Sequence, residues 1–91
     1  MKPNFLRETI LAAKEQVIIQ PSVEVLSNRK AALRGKYRIL EYSDEWIRIQ
    51  LEGLQICLYG SGLELDSVLP ESLEIRGTIS RIEYEPSGER L

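Results

Sequence analysis

This 91-residue chain has no histidine, so the candidate residues for acid–base catalysis are its carboxylates. Asp44 and Glu45 are adjacent in a predicted turn, where neighbouring side chains point apart and stay hydrated. Glu83 and Glu85 share one face of a predicted strand, which is also the pattern of a solvated acidic stripe. A carboxylate-based hydrolase needs two acids that face one cleft. Because histidine is also the commonest general base and metal ligand, we expect no enzyme activity and no metal.

Two other features resemble reactive motifs but have simpler interpretations. Cys57 is the single cysteine, which excludes an intrachain disulfide and favours a reducing compartment. We interpret Cys57 as a small hydrophobic residue within QICLY rather than as a reactive thiol. The GSG sequence at residues 60–62 lacks the Lys-Ser/Thr and the helix that belong to a phosphate-binding loop, so it predicts a connection between strands.

Basic residues are concentrated in the first part of the chain, although the net charge is -2. Residues 1–38 carry eight Lys/Arg and three Glu, whereas residues 39–91 carry four Arg and eleven acids. Five bases with no acid among them lie within ten residues: Arg29, Lys30, Arg34, Lys36 and Arg38. Such a cluster attracts phosphate, anionic lipid or an acidic protein face, but it also protects the edge of a hairpin. Contact between the basic edge of one copy and the acidic end of another is a further possibility.

Tyr42 and Trp46 flank the predicted hairpin, and together with Tyr37 and Tyr59 they could form an aromatic surface. Aromatic side chains beside bases can stack nucleobases, although they more often fill a β core or its rim. A small β-barrel that binds nucleic acid through these groups is therefore the alternative function. The pI near 5.2 argues against it, so we expect no nucleic-acid partner.

The N-terminal segment has the periodicity of an amphipathic helix. Helical spacing extends over residues 2–16, with Phe5 and Ile10 on the apolar face. The β-branched residues 17–19 and then Pro21 end the helix. A helix of this length is only marginally stable alone, so we expect its apolar face to dock. The predicted organisation is a helical segment and linker over residues 1–20, a β domain over residues 21–85 and a flexible tail over residues 86–91.

The remainder of the chain alternates with a period of two, which is typical of half-buried strands. A hairpin is predicted through residues 43–45, with Ile47, Ile49 and Leu51 on its buried face. The opposite, solvent-facing set is Arg48, Gln50 and Glu52. About seven short strands follow from the turn signals, with Pro70 as a break and Gly77 as a bulge or tight turn.

These patterns predict a mainly β fold, an antiparallel meander curled into a small sandwich or barrel after one N-terminal amphipathic helix. A short β-solenoid is the alternative, because LQICLYGSGLEL and LEIRGTISRIEY both place apolar alternation on either side of a glycine. No apolar run reaches the roughly 18 residues of a membrane-spanning helix, so we expect no transmembrane segment. The start MKPNFLRETILAAKEQ lacks the pattern of a signal peptide.

Several stretches of the β region share their order and spacing with a known family. They are Asn28-Arg29, RILEYSDE at residues 38–45, Ile47-Arg48-Ile49, Leu54, Ile56, Gly60, Leu63, Leu65, LEIRGTI at residues 73–79 and Ile82-Glu83-Tyr84. On these stretches the chain resembles the YabP/YqfC family of sporulation proteins from endospore-forming Firmicutes. Ala31 and Ala32 depart from the pattern, which has more β-prone residues there.

The resemblance implies a non-enzymatic protein that is made in the mother cell and acts as a structural or scaffolding component in spore assembly and morphogenesis. It also implies work alongside sporulation membrane proteins and no metal or cofactor. We therefore expect a homo-oligomer or a complex with a sporulation membrane protein. The expected location is the mother-cell cytoplasm, with a peripheral position at a membrane or the spore surface left open.

The sheet edge and the N-terminal helix are the expected contact surfaces, because unpaired strand edges and apolar helix faces recruit other chains. The predicted protein-interaction residues are Phe5, Ile10, Arg29, Lys30, Arg34 and Trp46.

Overall fold

The computed structural model describes residues 20–88 and 91. The predicted helix over residues 2–16, with Phe5 and Ile10, lies outside the described residues. The described residues form six strands: β1 Ser22–Leu26, β2 Lys30–Arg34, β3 Tyr37–Tyr42, β4 Trp46–Leu51, β5 Leu54–Leu69 and β6 Ser72–Pro86. They form one antiparallel sheet in the order β1-β2-β6-β5-β4-β3. The mainly β, antiparallel fold predicted from the sequence is therefore confirmed.

The strand count differs from the prediction of about seven. Residues 60–62 lie inside β5 rather than between two strands, and Gly77 lies inside β6. The predicted connection at residues 60–62 is therefore wrong. The predicted break at Pro70 is confirmed, because Pro70 and Glu71 form the turn between the two long strands.

Two halves of the sheet share the long strands β5 and β6. In the β4 half, the hairpin β3–β4 continues into the first part of β5 and the last part of β6. In the β2 half, the hairpin β1–β2 continues into the first part of β6 and the last part of β5. Within residues 20–88 the sheet is open, with β1 and β3 at its two ends. A closed barrel and a sandwich of two separate sheets are therefore wrong, and so is the β-solenoid, because every neighbouring pair is antiparallel.

The long strands bend where the two halves meet. The register of β5 against β6 shifts at Tyr59/Gly60, between Ser61 and Glu64, and again between Leu65 and Ser67. Gly77 has a φ of 143°, and a Cβ at this position would lie 2.6 Å from the carbonyl oxygen of Gly62. Glycine is required here because the two backbones approach more closely than a side chain allows. The predicted irregularity at Gly77 is thus a close crossing of two strands.

The turn between β3 and β4 packs against the bend of β5. The N–H of Gly60 donates to the carbonyl of Glu45 at 2.9 Å, and the N–H of Leu63 donates to the carbonyl of Asp44 at 2.9 Å. Backbone donors that the register shift removes from the ladder therefore find partners in this turn.

The turn between β1 and β2 packs against β6 and accepts hydrogen bonds from two of its backbone N–H groups. The N–H of Gly77 donates to the carbonyl of Arg29 at 3.1 Å, and the N–H of Ile79 donates to the carbonyl of Asn28 at 2.7 Å. The two hairpin turns thus brace the bend from opposite sides of the long strands. Both turns belong to the stretches on which the family resemblance rests.

A single apolar core joins the two halves. Its buried members are Ala31, Leu33, Ile47, Ile49, Leu51, Ile56, Leu58, Leu63, Leu73, Ile75 and Ile79. The predicted buried face of β4 is confirmed by this set. Tyr37, on β3 of the β4 half, donates its hydroxyl to the carbonyl of Leu69 at the end of β5 in the β2 half, at 2.7 Å. The bent sheet therefore curls until residues from both halves contact each other.

Gln50 is an exception to the predicted solvent face of β4, because it is fully buried. Its amide nitrogen donates to the carbonyls of Leu51 at 2.6 Å and Leu54 at 3.3 Å, and to the hydroxyl of Ser87 at 3.1 Å. Its amide oxygen accepts from Gln55 at 3.2 Å. These bonds satisfy the buried amide and attach the end of β6 to the β4–β5 turn.

Candidate functional site

A polar surface covers the face of the β4 half that lies opposite the core. The register places Trp46, Tyr59 and Arg81 side by side across β4, β5 and β6. The guanidinium carbon of Arg81 lies 4.1 Å from the centroid of the Tyr59 ring, which is a cation–π distance. Alternation along three paired strands thus brings a cation and two aromatic rings into one row.

The next row of this polar surface contains Arg48, Cys57 and Glu83. The Nε atom of Arg48 lies 3.2 Å from a carboxylate oxygen of Glu41 on β3, and its guanidinium carbon lies 5.6 Å from the Trp46 ring centroid. Each arginine of the two rows therefore contacts both an aromatic ring and an acid.

Glu83 has two partners on this surface. One carboxylate oxygen lies 3.4 Å from the Nε of Arg81, and the other accepts a hydrogen bond from the Tyr59 hydroxyl at 3.3 Å. Glu85 lies on the same face as Glu83, as the spacing predicts. Glu83 therefore belongs to a network of ion pairs and hydrogen bonds, which is a different arrangement from a paired general acid and base.

A shallow depression of about 140 Å³ lies within the polar surface. It is lined by Arg48, Gln55, Ile56, Cys57, Tyr59, Glu83 and Glu85. Cys57 is 8% exposed, so the prediction that it is buried is confirmed, although its neighbours are polar. The depression is small for a ligand pocket, since pockets for small molecules usually enclose roughly 300–1,000 Å³.

Cys57 affects the pKa of two neighbouring side chains, Tyr59 and Arg48. A hydrogen bond with Cys57 raises the pKa of Tyr59, and burial raises it further. The hydrogen bond between Arg48 and Cys57 is also the largest cause that raises the pKa of Arg48, followed by the charge of Glu41. Both contacts therefore favour the protonated, hydrogen-bond-donating forms of the two side chains.

The described part of the chain holds no group of three or more His, Cys, Asp or Glu side chains that could bind a metal ion. In the same residues, no helix is long and apolar enough to cross a bilayer.

Three of the five predicted basic residues lie on the β2 half, whereas Lys36 lies in the turn between β2 and β3 and Arg38 lies on β3. Arg29 lies in the β1–β2 turn and donates to the hydroxyl of Thr78 at 3.3 Å. Lys30 begins β2 and forms an ion pair with Glu74 at 3.1 Å. Arg34 is exposed at the other end of β2, about 16 Å from Arg29 by the rise of an extended strand. The predicted cluster is therefore not one continuous basic surface.

The predicted aromatic residues are also divided between two faces. Trp46 is half-buried at the start of β4 and shares the polar surface with Tyr59. Tyr42 is paired with Ile47 on the opposite face, and Tyr37 packs against the core. A common stacking surface for all four aromatic residues is therefore wrong.

The feature that the sequence did not reveal is the open edge of β6. Residues 79–86 pair with β5 on one side, whereas the pairing of β2 with β6 ends at Arg76. Tyr84 on this stretch is 53% exposed. The feature that indicates this edge is the difference in strand length. Because β6 has 15 residues and its neighbour β2 has five, most of β6 extends beyond β2. We call residues 80–85 the β6 edge.

The bent sheet and its polar surface define a small, single-sheet, antiparallel β domain. The YabP family model matches residues 19–90, and the chain belongs to this family. The match confirms the resemblance on the β stretches, and family membership suggests a sporulation-related protein. No curated protein matches the chain significantly. No solved structure does so either.

Proposed function

We propose that this protein is a non-enzymatic component of spore assembly, which acts as a scaffold by self-association or by binding a sporulation membrane protein. Family membership supports the link with sporulation. The observation that carries the molecular role is the β6 edge, a stretch of strand that, among residues 20–88, is paired on one side only. Such edges template the addition of another strand, which supplies backbone hydrogen bonds to a partner.

Exposed apolar side chains support an interaction role for the strand edges. Tyr84 lies on the β6 edge, and Val68 and Leu69 lie at the end of β5, which in the described part of the chain pairs with no strand other than β6. Each of the three is more than half exposed. A partner strand at either edge would cover apolar area that water contacts in the free protein, which favours association.

The polar surface supports a structural rather than a catalytic role. Two of its acids are engaged by arginine or tyrosine: Glu41 by Arg48, and Glu83 by Arg81 and Tyr59. Asp44 and Glu45 contribute backbone carbonyls to the bend of β5, so this turn has a structural function already. The surface is thus held together by ion pairs and backbone hydrogen bonds, which is the arrangement of a structural element.

The proposed location is the mother cell, in the cytoplasm or peripherally at a membrane or the spore surface. A fluorescent fusion imaged during sporulation tests this location. We expect signal confined to the mother cell, with enrichment at the developing spore; uniform signal in the forespore would contradict the proposal.

Light scattering on the full chain at low and moderate salt tests self-association. We expect a mass above 10.4 kDa at both salt concentrations. Phe5→Asp and Ile10→Asp, made together in the full chain, separate the two contact surfaces: an unchanged mass assigns the contact to the sheet, and a monomer assigns it to the N-terminal segment. A wild-type monomer that also fails to bind sporulation membrane proteins in detergent would overturn the scaffold role.

A further inference from the structure

The hydrogen-bonding pattern of β6 shows which backbone groups its edge offers. The N–H of Ser87 donates to the carbonyl of Gly53 at 3.0 Å, one position beyond the pair Leu54 and Pro86. Hydrogen-bonded pairs alternate along an antiparallel ladder. The next such pairs are therefore Gln55–Glu85, Cys57–Glu83 and Tyr59–Arg81. Ile82 and Tyr84, which lie between them, direct their N–H and C=O groups away from β5, toward the open side.

At each end of the β6 edge, a backbone N–H is either already bonded or absent. At one end, the N–H of Ile79 is taken by the carbonyl of Asn28 in the β1–β2 turn. At the other end, Pro86 falls at a position whose backbone faces the open side, and proline has no N–H to offer. The β6 edge is therefore a short, defined segment on which a strand of about five residues fits.

We propose that the occupant of the β6 edge is the β6 edge of a second copy of this chain, paired antiparallel about a twofold axis at Ile82. Ile82 then faces Ile82 of the second copy, and Ser80 faces Tyr84. At Ile82 the pairing joins backbone groups that are directed to the open side in both copies, whereas Ser80 lies where the register of β6 against β5 shifts. This inference rests on the self-association in the proposed function and names its partner and contact.

The charges of the β6 edge complement one another in this register. Arg81 faces Glu83 of the second copy, and Glu83 faces Arg81, so the twofold axis creates two opposite-charge pairs. These are the closely spaced positions of an antiparallel ladder, where Cα atoms lie about 4.5 Å apart. The side chains of Arg81 and Glu83 are 60% and 51% exposed, so both can reach across the axis. Opposite charges at such positions stabilise a strand pair.

The same charges disfavour the neighbouring registers. A shift by two residues in one direction places Arg81 against Arg81; in the other direction it places Glu83 against Glu83 at the centre, with Arg81 opposite Glu85 on each side. Like charges directly opposite each other destabilise a strand pair. The open part of β5 is a poorer candidate for self-pairing, because residues 63–69 carry Glu64 and Asp66 and no base. The register centred on Ile82 is therefore favoured, because it has two opposite-charge pairs and no like-charge pair at positions 81 and 83.

Charge reversal in the full chain tests the pairing by sedimentation velocity over a dilution series. Arg81→Glu and Glu83→Arg should each weaken the dimer by at least about tenfold, because each replaces two attractive pairs with two repulsive ones. The double variant R81E/E83R restores both pairs and should regain the dimer. An equimolar mixture of the two single variants should form a heterodimer, although neither forms a homodimer. Lys36→Glu, in the turn between β2 and β3, is the matched control and should leave the dimer unchanged.

Cysteine cross-linking tests the position of the twofold axis. In a Cys57→Ser background, Ile82→Cys should form an intermolecular disulfide with diamide, because the two copies of residue 82 are direct partners. Ser80→Cys should not, since the two copies of residue 80 are offset by four residues, about 13 Å. Circular dichroism of each variant checks that the fold is retained.

The outcomes distinguish this inference from the proposed function. A dimer that is insensitive to both single charge reversals, or equal cross-linking at residues 80 and 82, overturns pairing through the β6 edge while the self-association stands. A wild-type monomer at every concentration overturns the pairing and leaves only the membrane-protein partner for the scaffold role. Restoration by the double variant together with cross-linking at residue 82 alone supports the proposal.

Discussion

Gly60 on β5 lies directly against the backbone of Thr78 on β6. A Cβ at position 60 would stand 1.9 Å from the carbonyl oxygen of Thr78 and 3.1 Å from the Cα of Ile79. Heavy atoms that are not bonded cannot approach so closely, so the two strands cross there only because residue 60 has no side chain. The crossing lies at the bend, which lets one sheet bury its own apolar face.

Replacement of this glycine should disrupt the bend. Gly60→Ala forces the backbone of β5 away from Thr78, and since both neighbours are backbone atoms, no side-chain rotation relieves the clash. We expect a loss of about 3 kcal/mol or more in the free energy of unfolding, the upper range for overpacking. Urea denaturation followed by circular dichroism measures this loss.

Two other glycines provide matched controls for the Gly60 variant. Gly62 has a φ of 62° and open space around its Cα, so Gly62→Ala carries only the conformational cost of about 1–2 kcal/mol. Gly88 has open space and no positive φ, so Gly88→Ala should change stability by less than about 0.5 kcal/mol. Equal stability of the Gly60 and Gly88 variants would contradict the close crossing.

The local alternation of apolar and polar residues was sufficient to predict an antiparallel β fold and the buried face of β4. Ile47, Ile49 and Leu51 are fully buried because a period of two directs them all to one side of β4. The hairpin through residues 43–45 is local too, since Ser43 bonds to the backbone of Trp46 within the turn. These features depend on neighbours in the sequence, which is why the sequence alone is enough.

The bend and the β6 edge could not be predicted in the same way. Whether residues 60–62 end a strand or let it bend depends on Thr78 and Gly77, which contact them from a later part of the chain. The edge exists because β2 pairs with only the first part of β6, which is a property of the assembled sheet. Arg81 and Glu83 gain a specific role only once this edge is known.

The buried amide of Gln50 should contribute to stability through its partners. Gln50→Leu leaves the carbonyls of Leu51 and Leu54 without this donor, and the cost of such a loss is about 1–3 kcal/mol. Gln50→Glu should cost more, because a buried carboxylate would face carbonyl oxygens that it cannot bond. Urea denaturation of both variants tests this order.

Glu52→Gln is the control for these Gln50 variants, because Glu52 is exposed on the same hairpin. We expect its unfolding free energy to stay within about 0.5 kcal/mol of wild type. Equal stability of the Gln50→Leu variant and the wild type would show that the network around this amide is not stabilising.

The hydroxyl of Tyr37 joins the two halves of the sheet through its bond to Leu69. Tyr37→Phe removes this bond and retains the ring against the core, so we expect a loss of about 1 kcal/mol in unfolding free energy. Hydrogen exchange should also accelerate at the end of β5. Tyr42→Phe, at a tyrosine that is 53% exposed, is the control and should change neither quantity. Identical exchange in the two variants would rule out a role for Tyr37 in holding the halves together.

The contact between Tyr59 and Cys57 should be visible in an alkaline titration. The hydrogen bond with Cys57 and burial raise the pKa of Tyr59 above its ordinary 10.0, so folding favours the neutral phenol. The resulting stabilisation is complete below pH 10.0 and is lost as the pH rises through the higher pKa of the folded state. Phenolate absorbance of the wild type minus that of Tyr59→Phe isolates this residue, and we expect its midpoint above 10.0 in the native protein.

Removal of the thiol separates the two causes of this shift. Cys57→Ala eliminates the hydrogen bond that is the larger cause, so the Tyr59 midpoint should move down toward 10.0. The same difference titration in concentrated urea supplies the unfolded reference, because denaturation removes both the hydrogen bond and the burial. Arg48 also has a hydrogen bond with Cys57, so removal of the thiol affects both Arg48 and Tyr59. An unchanged Tyr59 midpoint in Cys57→Ala would assign the shift to burial alone.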